Sequence, residues 1–228
     1  MTIRWEEITD DHLINLENTL KLYDQTFPIE VRESHEVFMQ GFHYAKSSFP
    51  NNFHFLVGFE KDELVSFATA HYLAEVNSGF IVYLVTNPSM RRMGVGEKTL
   101  AELESLLNED AILAGNGSLG TIILETETEE MAHSEAEKAD CTKRKRFYER
   151  NGYKQYGEIA YVQPPLHDMG GSVPLNLFLK DFQKGEQTQE KIKGIIRAMY
   201  QEKYYEVNRI EKKVLNHCFI KMDMDFIL

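Results

Sequence analysis

"MRRMGVGEKTL", residues 90–100, packs Arg91, Arg92, Gly94 and Gly96 into six positions, directly after an apolar run and the pair Asn87-Pro88. The run before it, GFIVYLV at 79–85, is apolar throughout, as a strand buried on both faces is. After it, Leu100, Leu103 and Leu107 mark one face of a helix predicted from about Gly94 to Asn108. LGTIILETE at 119–127 then reads as a second buried strand that ends in carboxylates. Strand, glycine turn, helix and strand in that order normally make two parallel strands joined by a right-handed crossover. The turn offers backbone N–H groups at a helix N-terminus beside two guanidinium groups, which suits an anion. It is not the dinucleotide-binding turn, because Thr99 stands where a third glycine belongs, and Gly96-Glu97 breaks the P-loop pattern.

Upstream, Leu13, Leu16, Leu20 and Tyr23 predict an amphipathic helix over 11–23, before Pro28, and a second helix covers Val31 to Ala45. A period near two then predicts an antiparallel hairpin, Phe53 to Glu60 with Leu64 to Leu73, broken at Lys61-Asp62. Downstream, 128–142 is polar and reads as a loop, Lys143 to Arg150 as a short helix, and Tyr153 to Val162 as a strand. Pro164-Pro165 and Gly170-Gly171 form a loop before a final strand, VPLNLFL. From about Gln187 the chain reads as added helix, with Ile192, Ile196, Met199, Tyr204, Val207, Ile210 and Val214 near helical spacing.

Composition narrows the class. A chain of 228 residues, 43% hydrophobic and 27% charged, is ordinary for a globular protein, and no apolar stretch approaches the roughly 18 residues of a membrane span. The N-terminus turns acidic at once and lacks a secretory layout, so a cytoplasmic location is expected. Cys141 and Cys218 have no metal-ligand spacing and are expected to be thiols, with no metal bound. The formal charge of −11 disfavours nucleic acid and anionic membrane as partners, so an anionic ligand needs a local site.

A second stretch, RFYERNGY at 146–153, couples a basic helix carrying Tyr148 to a turn at Asn151-Gly152. Arg91-x-x-Gly94-x-Gly96 resembles the acyl-CoA-binding signature of the GNAT acetyltransferase superfamily, and Phe147 to Tyr153 resembles its second characteristic segment. The order of elements over residues 1–182 is similar as well. The resemblance implies an α/β (α+β) fold whose mixed central sheet, flanked by helices, splays at an acyl-CoA site between strands 80–86 and 121–127. Residues 1–182 would form the catalytic domain and 183–228 a C-terminal helical extension.

The same resemblance implies acetyl-CoA as cosubstrate, with its pyrophosphate on the N–H groups of Arg92, Met93, Gly94, Val95 and Gly96, beside Arg91. Leu84 and Val85 would pair their backbone with the pantetheine arm. It implies direct N-acetyl transfer to a primary amine of a small molecule or peptide, with Tyr148 beside the cofactor as general acid. An amide near Val85 would donate to the oxyanion. Glu125, Glu127 and His71, in that order, are the candidate bases; strand alternation puts the two glutamates on one face. Cys141 stands where many members carry asparagine, which supports a rival reading, a CoA-binding regulatory module without turnover.

Between Glu125 and Glu137 lie six glutamates and no lysine or arginine, a field suited to a polyamine, an aminoglycoside or a lysine-like acceptor. The loop YVQPPLHDMGGSVPL is expected to wall the acceptor pocket. The apolar stripe after Gln187 is expected to pack on the catalytic domain or on the second subunit of a homodimer.

Overall fold

Phe53, Phe55, Val57 and Phe59 alternate with His54, Leu56 and Gly58, and this spacing builds β2 (Asn52–Glu60). In the computed structural model, which describes residues 2–27, 29–167, 170–183, 185 and 187–225, the chain divides into two compact units, Met1–Leu119 and Gly120–Leu228. The boundary falls inside the 1–182 span of the resemblance, and the C-terminal helices belong to the second unit.

In the first unit β2 pairs antiparallel with β3 (Glu63–Leu73), across a turn where Lys61 takes a φ of 57°. β4 (Ser78–Thr86) pairs antiparallel with β3, and β1 (Arg4–Glu7) with β2. The β3–β4 register slips between Thr69↔Tyr83 and Ala70↔Ile81, which leaves Val82 as the extra residue of a bulge. β1 has too few residues for a period to show. Its Trp5 faces Gly58, where an added Cβ would lie 2.4 Å from the indole, so glycine alone allows the ring to lie across β2.

Two helices cover one face of this meander, α1 (Leu16–Thr26) and α2 (His35–Ser47). Both start later than their periodicity predicts: Leu13 is exposed, and Val31 ends a separate 3₁₀ turn. Pro28 lies outside the described residues. Leu22, Tyr23, Phe38 and Phe42 pack on Phe53, Phe55, Phe67, Tyr83 and Val85. Tyr23 and Tyr83 meet edge to face at 4.9 Å; their hydroxyls share a 3.0 Å hydrogen bond, and Tyr83 also donates to the Val31 carbonyl.

The opposite face carries α3 (Val95–Leu113), anchored by the fully buried Leu103 and Leu107 and by Leu100. Thr99 hydroxyl donates to Ser66 of β3 at 2.8 Å, so its hydroxyl ties the first turn of α3 to the sheet. Further along, His54 of β2 is clamped between Glu7 and Asp110, each carboxylate 2.6 Å from a ring nitrogen. Asn52 donates to the other oxygen of Asp110 at 2.9 Å. Burial pushes the His54 imidazole down, but the bonds to Asp110 and Glu7 outweigh it and raise the group to about 9.

In the second unit β8 (Val173–Asp181) runs antiparallel to β5 (Thr121–Glu127), to the short β6 (Lys154–Tyr156) and to β7 (Val162–Gln163). The strand expected from Tyr153 to Val162 is thus two short strands with a turn at 157–161 between them. A second correction concerns α4, which spans Glu135–Arg150 and takes in much of the segment read as loop. Ser134 caps it by accepting from the Glu137 N–H, and Glu137 reaches back to the His133 N–H at 2.7 Å. Pairs Lys138–Glu135 and Lys143–Asp140 support its solvent side.

The C-terminal helices are α5 (Gln189–Met199), a π-helix (Tyr200–Val207) and α6 (Lys212–Lys221). Ile192, Ile195, Ile196 and Met199 are fully buried, and Tyr200 meets Phe219 of α6 at 4.6 Å. Parts of the predicted extension, 184, 186 and 226–228, and residues 168–169 of the predicted loop lie outside the described residues. Among the described residues no helix is long and apolar enough to cross a membrane.

Candidate functional site

In the first unit the candidate site is the turn between β4 and α3. Arg92 takes a φ of 66° and Gly94 one of 75°, two left-handed residues within three positions. Gly94 is the N-cap of α3 and, as a glycine, brings no capping side chain to that end. A Cβ placed on Gly94 would meet nothing within 4 Å, so the backbone lies beside open space. Arg91, Arg92, Met93 and Gly94 are exposed, whereas Val95 is buried and anchors the helix. The first N–H groups of α3, the positive end of a 19-residue helix and two exposed guanidinium groups fit a pyrophosphate. Leu84 is half-buried; the Val85 side chain is committed to the aromatic core, and its backbone pairs with Phe67 of β3.

His71 lies elsewhere in the first unit. It is fully buried, 4.9 Å from the Phe53 ring and 6.1 Å from Tyr44. That environment gives the imidazole a packing role and no contact with solvent, against its selection as a base.

In the second unit the two glutamates of β5 fall into separate groups. Glu127 accepts an ion pair from Arg144 of α4 at 2.6 Å. The Arg144 guanidinium also lies 3.8 Å from the Cys141 sulfur, which itself sits 3.9 Å from the Thr128 carbonyl. Cys141 therefore joins α4 to the end of β5 at its position in the motif. One turn further along α4, Tyr148 is 6% exposed, in ring contact with Phe147, Tyr153 and Phe178. Burial pushes its hydroxyl up to about 12, against the opposing influence of Arg144, so it is protonated at neutral pH.

Glu125, half-buried, is surrounded by donors. Tyr161 donates to Oε1, Tyr204 of the π-helix to Oε1 at 2.9 Å and Oε2 at 3.1 Å, and Gln163 to Oε2 at 3.1 Å. Burial first, and then the Glu125 carboxylate, raise the Tyr161 hydroxyl well above its ordinary value. Tyr161 and Gln163 lie in the loop expected to wall the acceptor pocket, but the sequence singles out neither of them, nor Tyr204, as a site residue. Tyr204 showed only as one member of an apolar stripe, and no spacing links any of them to Glu125. Among the described residues no cluster of three or more histidine, cysteine or acidic side chains could hold a metal.

Residues 16–153, more than half of the chain, match the acetyltransferase (GNAT) family. No curated protein matches the sequence. Among solved structures, one assigned to the GNAT family from Bacteroides thetaiotaomicron is 22% identical, with a TM-score of 0.63 over 87% of this chain and 96% of that one. An aminoglycoside 6′-N-acetyltransferase complexed with coenzyme A is 19% identical, with a TM-score of 0.52 over 79% and 97%. Ard1 from Thermoplasma volcanium is 16% identical, with a TM-score of 0.51 over 79% and 98%. These likenesses show a shared mixed α/β fold with a mostly antiparallel sheet and flanking helices. With both characteristic segments in place, the chain belongs to the GNAT acetyltransferases, a family that uses acetyl-CoA as acyl donor.

Proposed function

We propose that this protein is an acetyl-CoA-dependent N-acetyltransferase that acts on a primary amine of a small molecule or peptide. The observation that carries the reading is the pairing, in one chain, of an exposed glycine turn that opens α3 with a buried tyrosine in the second characteristic segment. Acetyl-CoA supplies the activated acetyl thioester. The N–H groups from Arg92 to Gly96 hold its pyrophosphate, with charge added by Arg91 and Arg92. Backbone groups of Leu84 and its neighbours at the end of β4 orient the amide-rich arm, and an amide near Val85 donates to the oxygen that gains charge. Tyr148 keeps a proton for the departing sulfur. Glu125 is the base, taking the amine proton directly or through a Tyr161 or Tyr204 hydroxyl that passes its own proton on. Glu127, paired with Arg144, is placed to adjust Tyr148 rather than to accept a proton.

The six glutamates between Glu125 and Glu137 favour a cationic acceptor such as a polyamine, an aminoglycoside or a lysine side chain. One observation favours the second reading, a CoA-binding module without turnover: both strand-end carboxylates already have protein donors. Thermal unfolding with acetyl-CoA and with free CoA tests the cradle. At a hundredfold excess over Kd a native-state ligand adds about 2.7 kcal/mol. A raised Tm followed by an acetylated amine in product analysis supports the enzyme; a raised Tm without product from any amine supports the module. An unchanged Tm with millimolar ligand would overturn both.

A further inference from the structure

We infer that the C-terminal segment is part of the catalytic apparatus: Tyr204, together with Tyr161, positions the Glu125 carboxylate as a preoriented proton acceptor. The inference rests on Glu125 as the base of the proposed reaction. It goes further by giving a role to a segment beyond the matched residues 16–153.

Three observations support it. The carboxylate has about four acceptor sites, and Tyr161, Tyr204 and Gln163 occupy both of its oxygens from two elements far apart in sequence. Tyr200, one turn before Tyr204, donates to the Val162 carbonyl, between the two loop residues that also donate to Glu125. The π-helix thus holds both the carboxylate and the segment 161–163 that carries its other donors. Finally, Tyr200 and Tyr204 lie on a continuous eight-residue π-helix, a rare conformation that recurs at functional sites. Simple attachment of the C-terminal helices needs none of this, because α5 and α6 already bury Ile192, Ile195, Ile196, Leu215 and Phe219.

The groups facing Glu125 include the hydroxyls of Tyr161 and Tyr204 and the Gln163 amide, with Tyr200 nearby, its hydroxyl raised first by burial, then by Cys218 and then by the carboxylate. The cation Arg144 is engaged by Glu127 on the same strand. Hydroxyl donors stabilise the ionised carboxylate, so removing one raises its affinity for a proton.

The test uses the full chain and two conservative variants, Tyr204→Phe and Tyr161→Phe, each of which keeps the ring and deletes one donor. Carboxyl ¹³C NMR titration, with the Glu125 signal assigned by its loss in Glu125→Gln, reads the carboxylate without any acceptor. Its midpoint is expected to move to higher pH in both variants. Acetyl transfer from acetyl-CoA to spermidine, kanamycin and a lysyl peptide gives the second readout. There kcat should fall severalfold in both variants while KM for acetyl-CoA holds. An unmoved midpoint with unchanged kcat in both would overturn the positioning role and leave the base intact. Wild-type turnover in Glu125→Gln would overturn the base, and the inference with it.

Discussion

A tyrosine hydroxyl raised to about 12 by burial keeps its proton throughout the neutral range, so Tyr148 can donate and cannot act as a base there. Tyr148→Phe keeps the ring contacts with Phe147, Tyr153 and Phe178 and removes that proton. We expect kcat to drop by roughly 10²-fold, the lower end for loss of an acid or base, with CoA affinity nearly unchanged in a calorimetric titration. An unchanged rate would reduce Tyr148 to packing. At Gly94 the cost of substitution comes from the backbone. Space beside it is open, but a φ of 75° costs a side chain of order 1–2 kcal/mol. Gly94→Val should therefore lower Tm even without ligand and weaken CoA binding further by occupying the space beside the turn. Equal affinity in the variant would show that the cradle lies elsewhere. These two residues were legible because each belongs to a short contiguous motif. The donors to Glu125 were not, since Tyr161 and Tyr204 meet it only after 36 and 79 residues of chain have folded.

Elements were legible where burial imposed a period. β2, β3, β4 and the α3 core face fall within a few residues of their predicted places, because each presents apolar side chains to packed neighbours. α4 shows the opposite case. Tyr148 is its one buried residue, so the helix offers no stripe to read. What starts it is polar chemistry: Ser134, Glu137 and the charge pairs of its first three turns. Ser134→Ala should cost about 1 kcal/mol and fray the segment before Cys141, which faster amide exchange over residues 135–140 would report. Exchange equal to the wild type would place the start of α4 under other control. The turn at 157–161 was hidden for a related reason, because Tyr161 looks like a strand residue and its partner Glu125 lies 36 residues away.

At the scale of the molecule, the His54 clamp ties β1, β2 and α3 of the first unit together through one imidazolium and two carboxylates. The folded group sits near 9 and an unfolded histidine near 6.5, so its proton is bound more tightly in the native state. The stabilisation is complete below about 6.5 and is lost as pH rises through about 9. Chemical denaturation between pH 6 and 10 should show stability falling over that window, and His54→Gln should flatten the fall. Removing the cation also leaves the buried Asp110 without its cationic partner, at a cost of about 3–5 kcal/mol. A wild-type slope in the variant would place the titration elsewhere.

Trp5 is the sole tryptophan of the chain, and it lies across Gly58 on the outer strand pair of the first unit. Selective excitation of indole therefore reports from the β1–β2 pair, whereas the second unit holds tyrosine and phenylalanine and no tryptophan. The protein carries its own optical probe of one half. Gly58→Ala should displace the ring toward water and shift its emission to the red.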